Sequence, residues 1–129
     1  MSDTPTDLYY TQNHEWVRMA NGIARTGVTE HAAQMIGDVV YVSLPEPGTS
    51  VEPGDSCAEL ESTKSVNDVY APVGGVIKTV NEAIENEPET INSDPYGDGW
   101  LFEIEMADTN TPSDLLDASA YEDMLASGG

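Results

Sequence analysis

Glu61-Ser62-Thr63-Lys64-Ser65 is the stretch of this sequence best suited to chemistry, because it sets one primary amine, Lys64, among small polar neighbours. The chain has only two lysines, Lys64 and Lys78, among 129 residues. A turn lysine is most often a solvated charge with no further role. Three features weigh against that reading: lysine is otherwise nearly absent, Thr63 and Ser65 leave the amine accessible, and the flanks are almost symmetric about it, with Gly54 ten residues before and Gly75 eleven after. An exposed amine at such a position suits acylation by a second enzyme. Glu59, Glu61 and Asp68 add an acidic patch that a basic modifying enzyme could recognise. No Ser/His/Asp set, and no Cys/His spacing of the zinc-binding kind, accompanies the lysine.

The surrounding pattern predicts the element that presents this amine. Ser56-Cys57-Ala58-Glu59-Leu60 and Val66-Asn67-Asp68-Val69-Tyr70 read as strands joined by a short turn, so Lys64 falls at the tip of a hairpin. Upstream, Asn21-Gly22 separates strand-like runs over Tyr9–Met19 and Ile23–Val28 and predicts a type I′ hairpin. Thr29 and Gly37 bracket a short helix with Ala32, Met35 and Ile36 at helical spacing. Val39–Val42 and Val76–Val80 read as strands, and Trp100–Glu105 as a last strand with Trp100, Phe102 and Ile104 on one face. Asn81 is suited to cap one helical turn and Pro88 to start another, while Asn92–Gly99 is loop by composition. A C-terminal helix over about 113–126, capped by Ser113, carries Leu115, Leu116, Tyr121, Met124 and Leu125. The expected fold is mainly β, an antiparallel β-sandwich or small barrel with short marginal helices and a C-terminal helix. One domain over 1–129 is expected, its core spanning about 8–106. His14 and His31 read as strand packing and an exposed helix face.

On these residues the chain resembles the H-protein family of the glycine cleavage system, carriers that hold lipoic acid on a hairpin lysine. The resemblance rests on His14-Glu15-Trp16-Val17-Arg18, Gly37-Asp38-Val39-Val40-Tyr41-Val42, Leu44-Pro45-Glu46-Pro47-Gly48, Glu61-Ser62-Thr63-Lys64, Asp68-Val69-Tyr70-Ala71-Pro72 and Asn92-Ser93-Asp94-Pro95-Tyr96-Gly97-Asp98-Gly99-Trp100. It departs at Ser65 and Val66, where the family usually has small residues, and at Gly74, where serine often stands. The resemblance implies a lipoyl amide on Lys64 and a shuttle rather than a catalyst. A pyridoxal-phosphate glycine decarboxylase would load an aminomethyl group onto the arm. A tetrahydrofolate-dependent aminomethyltransferase would take the one-carbon unit, and an FAD-containing dihydrolipoamide dehydrogenase would reoxidise the dithiol. A lipoyl ligase or lipoyl/octanoyl transferase would install the cofactor, reading Glu61 and Asp68. Asn13, Glu15 and Asp68 are implied near a cleft that shelters the loaded arm, Glu15 being able to hold a protonated amine. A lipoyl domain of a 2-oxo acid dehydrogenase is a smaller module, and biotin carriers typically place Met on both sides of the lysine. An unmodified interaction protein, or a donor of lipoyl groups to other proteins, is the alternative from a different class.

The formal net charge of −20, from 24 acidic and 4 basic residues, argues against nucleic acid and anionic membrane as partners and favours basic protein surfaces. Cys57 cannot form an internal disulfide and reads as a buried strand residue in a reducing compartment. No basic, apolar leader opens the chain, so the expected setting is a prokaryotic cytoplasm. Such a balance resembles proteins of salt-adapted cytoplasms, where a Debye length of about 3 Å at 1 M screens self-repulsion. The melting temperature is therefore expected to fall as NaCl is lowered from molar to millimolar. Calorimetry across that range checks it, and an unchanged melting temperature would contradict the reading.

Overall fold

The fold is described from a computed structural model over residues 5–108 and 115–127. Tyr9–Tyr10 forms β1, the chain turns over 11–14, and β1 pairs antiparallel with β2 (Glu15–Ala20), so the first predicted run is two strands. Asn21 and Gly22 both take positive φ, 55° and 78°, and return the chain into β3 (Ile23–Val28) as the Asn-Gly pair requires. Helix α1 (Glu30–Ile36) begins where the Thr29 side chain accepts the Ala32 N–H and ends at Gly37, whose φ of 86° no β-carbon-bearing residue adopts cheaply. The remaining strands are β4 (Val39–Ser43), β5 (Ser50–Val51), β6 (Ser56–Ser62), β7 (Val66–Tyr70), β8 (Gly75–Val80) and β9 (Phe102–Met106).

Among the described residues these strands make two antiparallel sheets, one ordered β1-β2-β3-β9-β8-β5 and the other β4-β6-β7. Alternation buries one face of each: Val17, Ala24, Ile77, Phe102 and Ile104 of the larger sheet join Val42, Leu60 and Val69 of the smaller in one core. A second cluster sets Leu8, Tyr10 and Trp16 against Tyr121 of α4 (Ala118–Ala126), with the Tyr10 and Tyr121 rings stacked at 4.7 Å. The mainly β, antiparallel architecture with marginal helices agrees with expectation.

Three local expectations are corrected. Asn81 caps no helix; its buried amide donates to the Asp98 and Trp100 carbonyls, each at 2.8 Å, and the short α2 (Ala83–Asn86) starts after Glu82. Trp100 lies outside β9, its ring under the Arg25 guanidinium at 4.4 Å, so the strand face is built from Phe102, Ile104 and Met106. The C-terminal helix starts at Ala118, capped by the Asp117 side chain, because Leu116 is extended and bridges to Tyr10. Ser113 lies outside the described residues. Pro88 precedes α3 (Thr90–Ser93), its carbonyl accepting the Ile91 N–H.

Asn92 in α3 ties the 92–100 loop to the end of α1. Its Oδ1 accepts the Val39 N–H at 2.9 Å and its Nδ2 donates to the Gly37 carbonyl at 2.8 Å. Truncation strands both backbone groups, so Asn92→Ala is expected to cost about 1–3 kcal/mol, read by urea unfolding against wild type.

Candidate functional site

The lysine tip is held by a serine. Glu61 and Val66 are the last register pair of β6 and β7, and the Ser62 N–H then donates to the Ser65 carbonyl at 2.9 Å. The Ser62 hydroxyl oxygen accepts the Lys64 N–H at 3.3 Å and the Ser65 N–H at 3.1 Å, while Asn67 Nδ2 donates to Ser65 Oγ at 2.9 Å. Ser and Asn side chains thereby supply the bonds that a regular ladder gives up at a turn. Lys64 is exposed, and no ion pair involves it among the described residues. A Cβ built on Gly37 would lie 3.0 Å from Lys64 Cε and 3.5 Å from Nζ, so the lysine stem lies against the C-terminal cap of α1.

Beside this stem a cleft of about 80 Å³ runs along β7, whose far edge pairs with no strand among the described residues. A strand edge presents consecutive residues, which is why Asn67, Asp68 and Val69 all line it. Asn13, Glu15, Met35 and Ile36 complete most of the wall. The structure thus brings Asn13, Glu15 and Asp68 together in one cleft. Asp68 also accepts the Ser56 hydroxyl at 3.1 Å and stands opposite Glu59 in the register. Glu61 is not in the cleft; it pairs with Tyr41 on β4 and Val66 on β7 across the outer face of the small sheet. Glu15 also faces a larger hollow of about 300 Å³ on its other side, walled by Thr11, Gln12, Pro53 and Pro72.

Sequence reasoning missed the apolar wall, because Ala32, Met35 and Ile36 carry only the signal of a helix facing a core. Met35 is in fact 56 % exposed. It also misplaced the histidines. His14 stands ahead of β2 at φ 67°, its Nδ1 2.8 Å from the Tyr121 hydroxyl, and its ring lies 4.8 Å from that of a half-buried His31. Burial first and His31 second hold the His14 pKa below its usual value.

The family model described as glycine cleavage H-protein matches residues 8–128. The chain is 50% identical to a glycine cleavage system H protein of Halorhodospira halophila over 130 aligned positions, covering all of both chains. It is 50% identical to one of Cronobacter sakazakii over 126 residues, covering 97% of this chain and 98% of that one. The crystal structure of a glycine cleavage system H protein from Mycobacterium marinum superposes with a TM-score of 0.87 at 42% identity, covering 95% of this chain and 98% of that one.

The electrostatics of the cleft centre on Glu15, only 2 % exposed. Its Oε1 accepts the Thr11 hydroxyl and its Oε2 the Tyr70 N–H, both at 2.8 Å. Burial raises its pKa to about 7 despite these opposing hydrogen bonds. A folded pKa above the unfolded value near 4.5 means that the unfolded chain gives up its proton first, so this group's contribution to stability declines as pH rises between about 4.5 and 7. Gln at 15 removes the charge while its amide oxygen can still accept the Tyr70 N–H and its amide N–H can donate to the Thr11 hydroxyl, reversing that one bond. Glu15→Gln is expected to gain on the order of 2 kcal/mol relative to wild type between pH 5 and pH 8, measured by urea unfolding at both. Equal gains at both pH values would mean that the carboxyl ionises normally.

Proposed function

The chain belongs to the glycine cleavage H-protein family, and we propose that it is the lipoyl-carrying shuttle of that system with Lys64 as the attachment residue. The observation that carries this reading is an exposed amine, free of ion pairs among the described residues, on a braced hairpin tip beside a cleft with an apolar wall and a buried acid. These residues fit a lipoyl group. Acylating Nζ removes one positive charge and breaks no ion pair among the described residues. Met35 and Ile36 offer apolar surface to the acyl chain, and Glu15, Asn13 and Asp68 offer acceptors to a polar end. When bound, the lipoyl group supplies a redox-active disulfide that accepts an aminomethyl group.

This chain's own residues then bind and shelter. Glu15, poised near neutral pH, can lose its proton and accept a charge-assisted hydrogen bond from an ammonium entering the cleft. Cys57, the free thiol of β6, is pushed up to about 11 by burial, Asp55 and Glu15. A thiol kept protonated is a poor attacker of disulfides, so it does not compete for the carrier's own cofactor. The partners are the pyridoxal-phosphate glycine decarboxylase, the tetrahydrofolate-dependent aminomethyltransferase, the FAD-containing dihydrolipoamide dehydrogenase, and the lipoyl ligase or lipoyl/octanoyl transferase that loads Lys64. Tethering makes each transfer intramolecular within a docked complex, at an effective concentration in the millimolar range.

Lys64→Arg tests the assignment. The exposed change is expected to alter stability by no more than about 0.5 kcal/mol. The variant should gain no lipoyl mass in a lipoylating cell and support no glycine decarboxylation, read by intact-mass spectrometry and carbon dioxide release. A lipoyl increment elsewhere on the variant would reassign the site.

A further inference from the structure

Strand β4 turns two consecutive large apolar side chains toward solvent beside the lysine hairpin. The pairing of β4 with β6 shifts register between Val39 and Tyr41, and a bulge of this kind re-aims a side chain. Val40 and Tyr41 are 54 % and 56 % exposed, where strict alternation would bury one of them. The pairs Tyr41–Glu61 and Glu61–Val66 set these three residues in one row across the outer face, with strands about 4.8 Å apart. Val66 is 61 % exposed and stands two positions from Lys64. In the next row Glu59 faces Asp68. The face is therefore apolar with acids set into it, and neither the core nor the cleft uses Val40, Tyr41 or Val66.

We propose that this face docks the enzyme that acylates Lys64, through an apolar patch on that enzyme rimmed by lysine or arginine; the inference rests on Lys64 being the lipoyl site. Reach decides among the partners. Enzymes that act on the loaded carrier meet sulfur atoms at the far end of an acyl chain and can stand off from the hairpin. The attaching enzyme must bring an activated acyl carbon, a mixed anhydride or thioester, to Nζ itself. There the amide C–N bond forms, the bond from the acyl carbon to its activating group breaks so that the group leaves as a phosphate monoester or a thiol, and the Lys64 ammonium gives up two protons, one before attack and one after. That enzyme is held within one lysine side chain of the backbone, so it contacts whatever surrounds the tip. The surroundings are Val66, Glu61 and Tyr41 on a chain of net charge −20, and complementarity calls for an apolar surface with a basic rim.

The test uses the full unlipoylated chain and whichever purified enzyme, lipoyl ligase or lipoyl/octanoyl transferase, loads wild type, with lipoyl mass on Lys64 followed in time. Tyr41→Ser and, separately, Val66→Thr are expected to lower kcat/KM for loading by about tenfold, mainly through KM. The wild-type KM should rise with NaCl. Each variant, once driven to full loading with excess enzyme, should support glycine decarboxylation within about twofold of wild type, because no group that acts after loading has changed. Unchanged loading kinetics in both folded variants would overturn the proposal. So would normal loading with weakened decarboxylation, which would give the face to a reaction partner. Failure of wild type itself to gain lipoyl mass would instead remove the Lys64 assignment beneath it.

Discussion

Glu15 joins the two sheets. Its carboxylate sits at the start of β2 in the larger sheet and accepts the N–H of Tyr70 at the end of β7 in the smaller one, while Thr11 donates to its other oxygen. The position of the lysine hairpin relative to α1, and so the cleft between them, depends on that contact. An apolar residue there would pack, but it would leave the Tyr70 N–H without this acceptor, and a stranded buried donor costs about 1–3 kcal/mol. A carboxylate satisfies it at a different cost, since burying the charge lifts its pKa to about 7. The same residue is therefore a brace and an unspent charge. An ammonium in the cleft would offset the desolvation that raises the pKa, so the brace is more favourable with a cationic guest than without one.

A second chain of contacts runs from the 92–100 loop to the lysine. Asn92 pairs with both sides of the Gly37 turn, the Pro95 carbonyl accepts the buried Trp16 indole N–H at 2.8 Å, and the Tyr96 hydroxyl accepts the Glu30 N–H at 3.1 Å. Together they fix both ends of α1. Gly37 at the far end meets the Lys64 stem, and its positive φ is what calls for glycine there. The loop motif is distant from the lysine in sequence but sets the surface on which the lysine rests.

How much of this was legible follows from the range of each signal. Asn21-Gly22, Thr29 and Gly37 act within a few residues, and the turn and the helix they specify stand where expected. The lysine hairpin was legible for the same reason. Asn81 misled because an Asn side chain serves equally well as a helix cap or as a donor to distant carbonyls, and only tertiary packing chooses. Leu116 misled because one bridge to Tyr10 outweighs helix propensity over a short segment. The polar members of the cleft were named through family resemblance, whereas its wall of Met35 and Ile36 is indistinguishable in sequence from a core-facing stripe. The bulge at Val40 was beyond reach, since four β-branched or aromatic residues in a row fit a buried strand just as well.

Charge gives the tip its direction of traffic. Both arginines are engaged elsewhere, Arg25 with Glu103 at 2.9 Å and the Trp100 ring, Arg18 over the Trp16 ring at 5.9 Å. Lys64 is thus the cation of the hairpin that also carries Glu59, Glu61 and Asp68. Against a total of −20, losing one positive charge changes the long-range field little. Within a Debye length of about 8–10 Å it changes the tip from mixed to uniformly acidic. Acylation of Lys64, as proposed, would therefore leave the hairpin more attractive to basic surfaces that approach it. Steering of this kind raises association rates more than affinity. A carrier that must visit several enzymes and leave each of them gains from fast encounter without tight binding, and a small acidic protein with one acylable amine at its tip provides it.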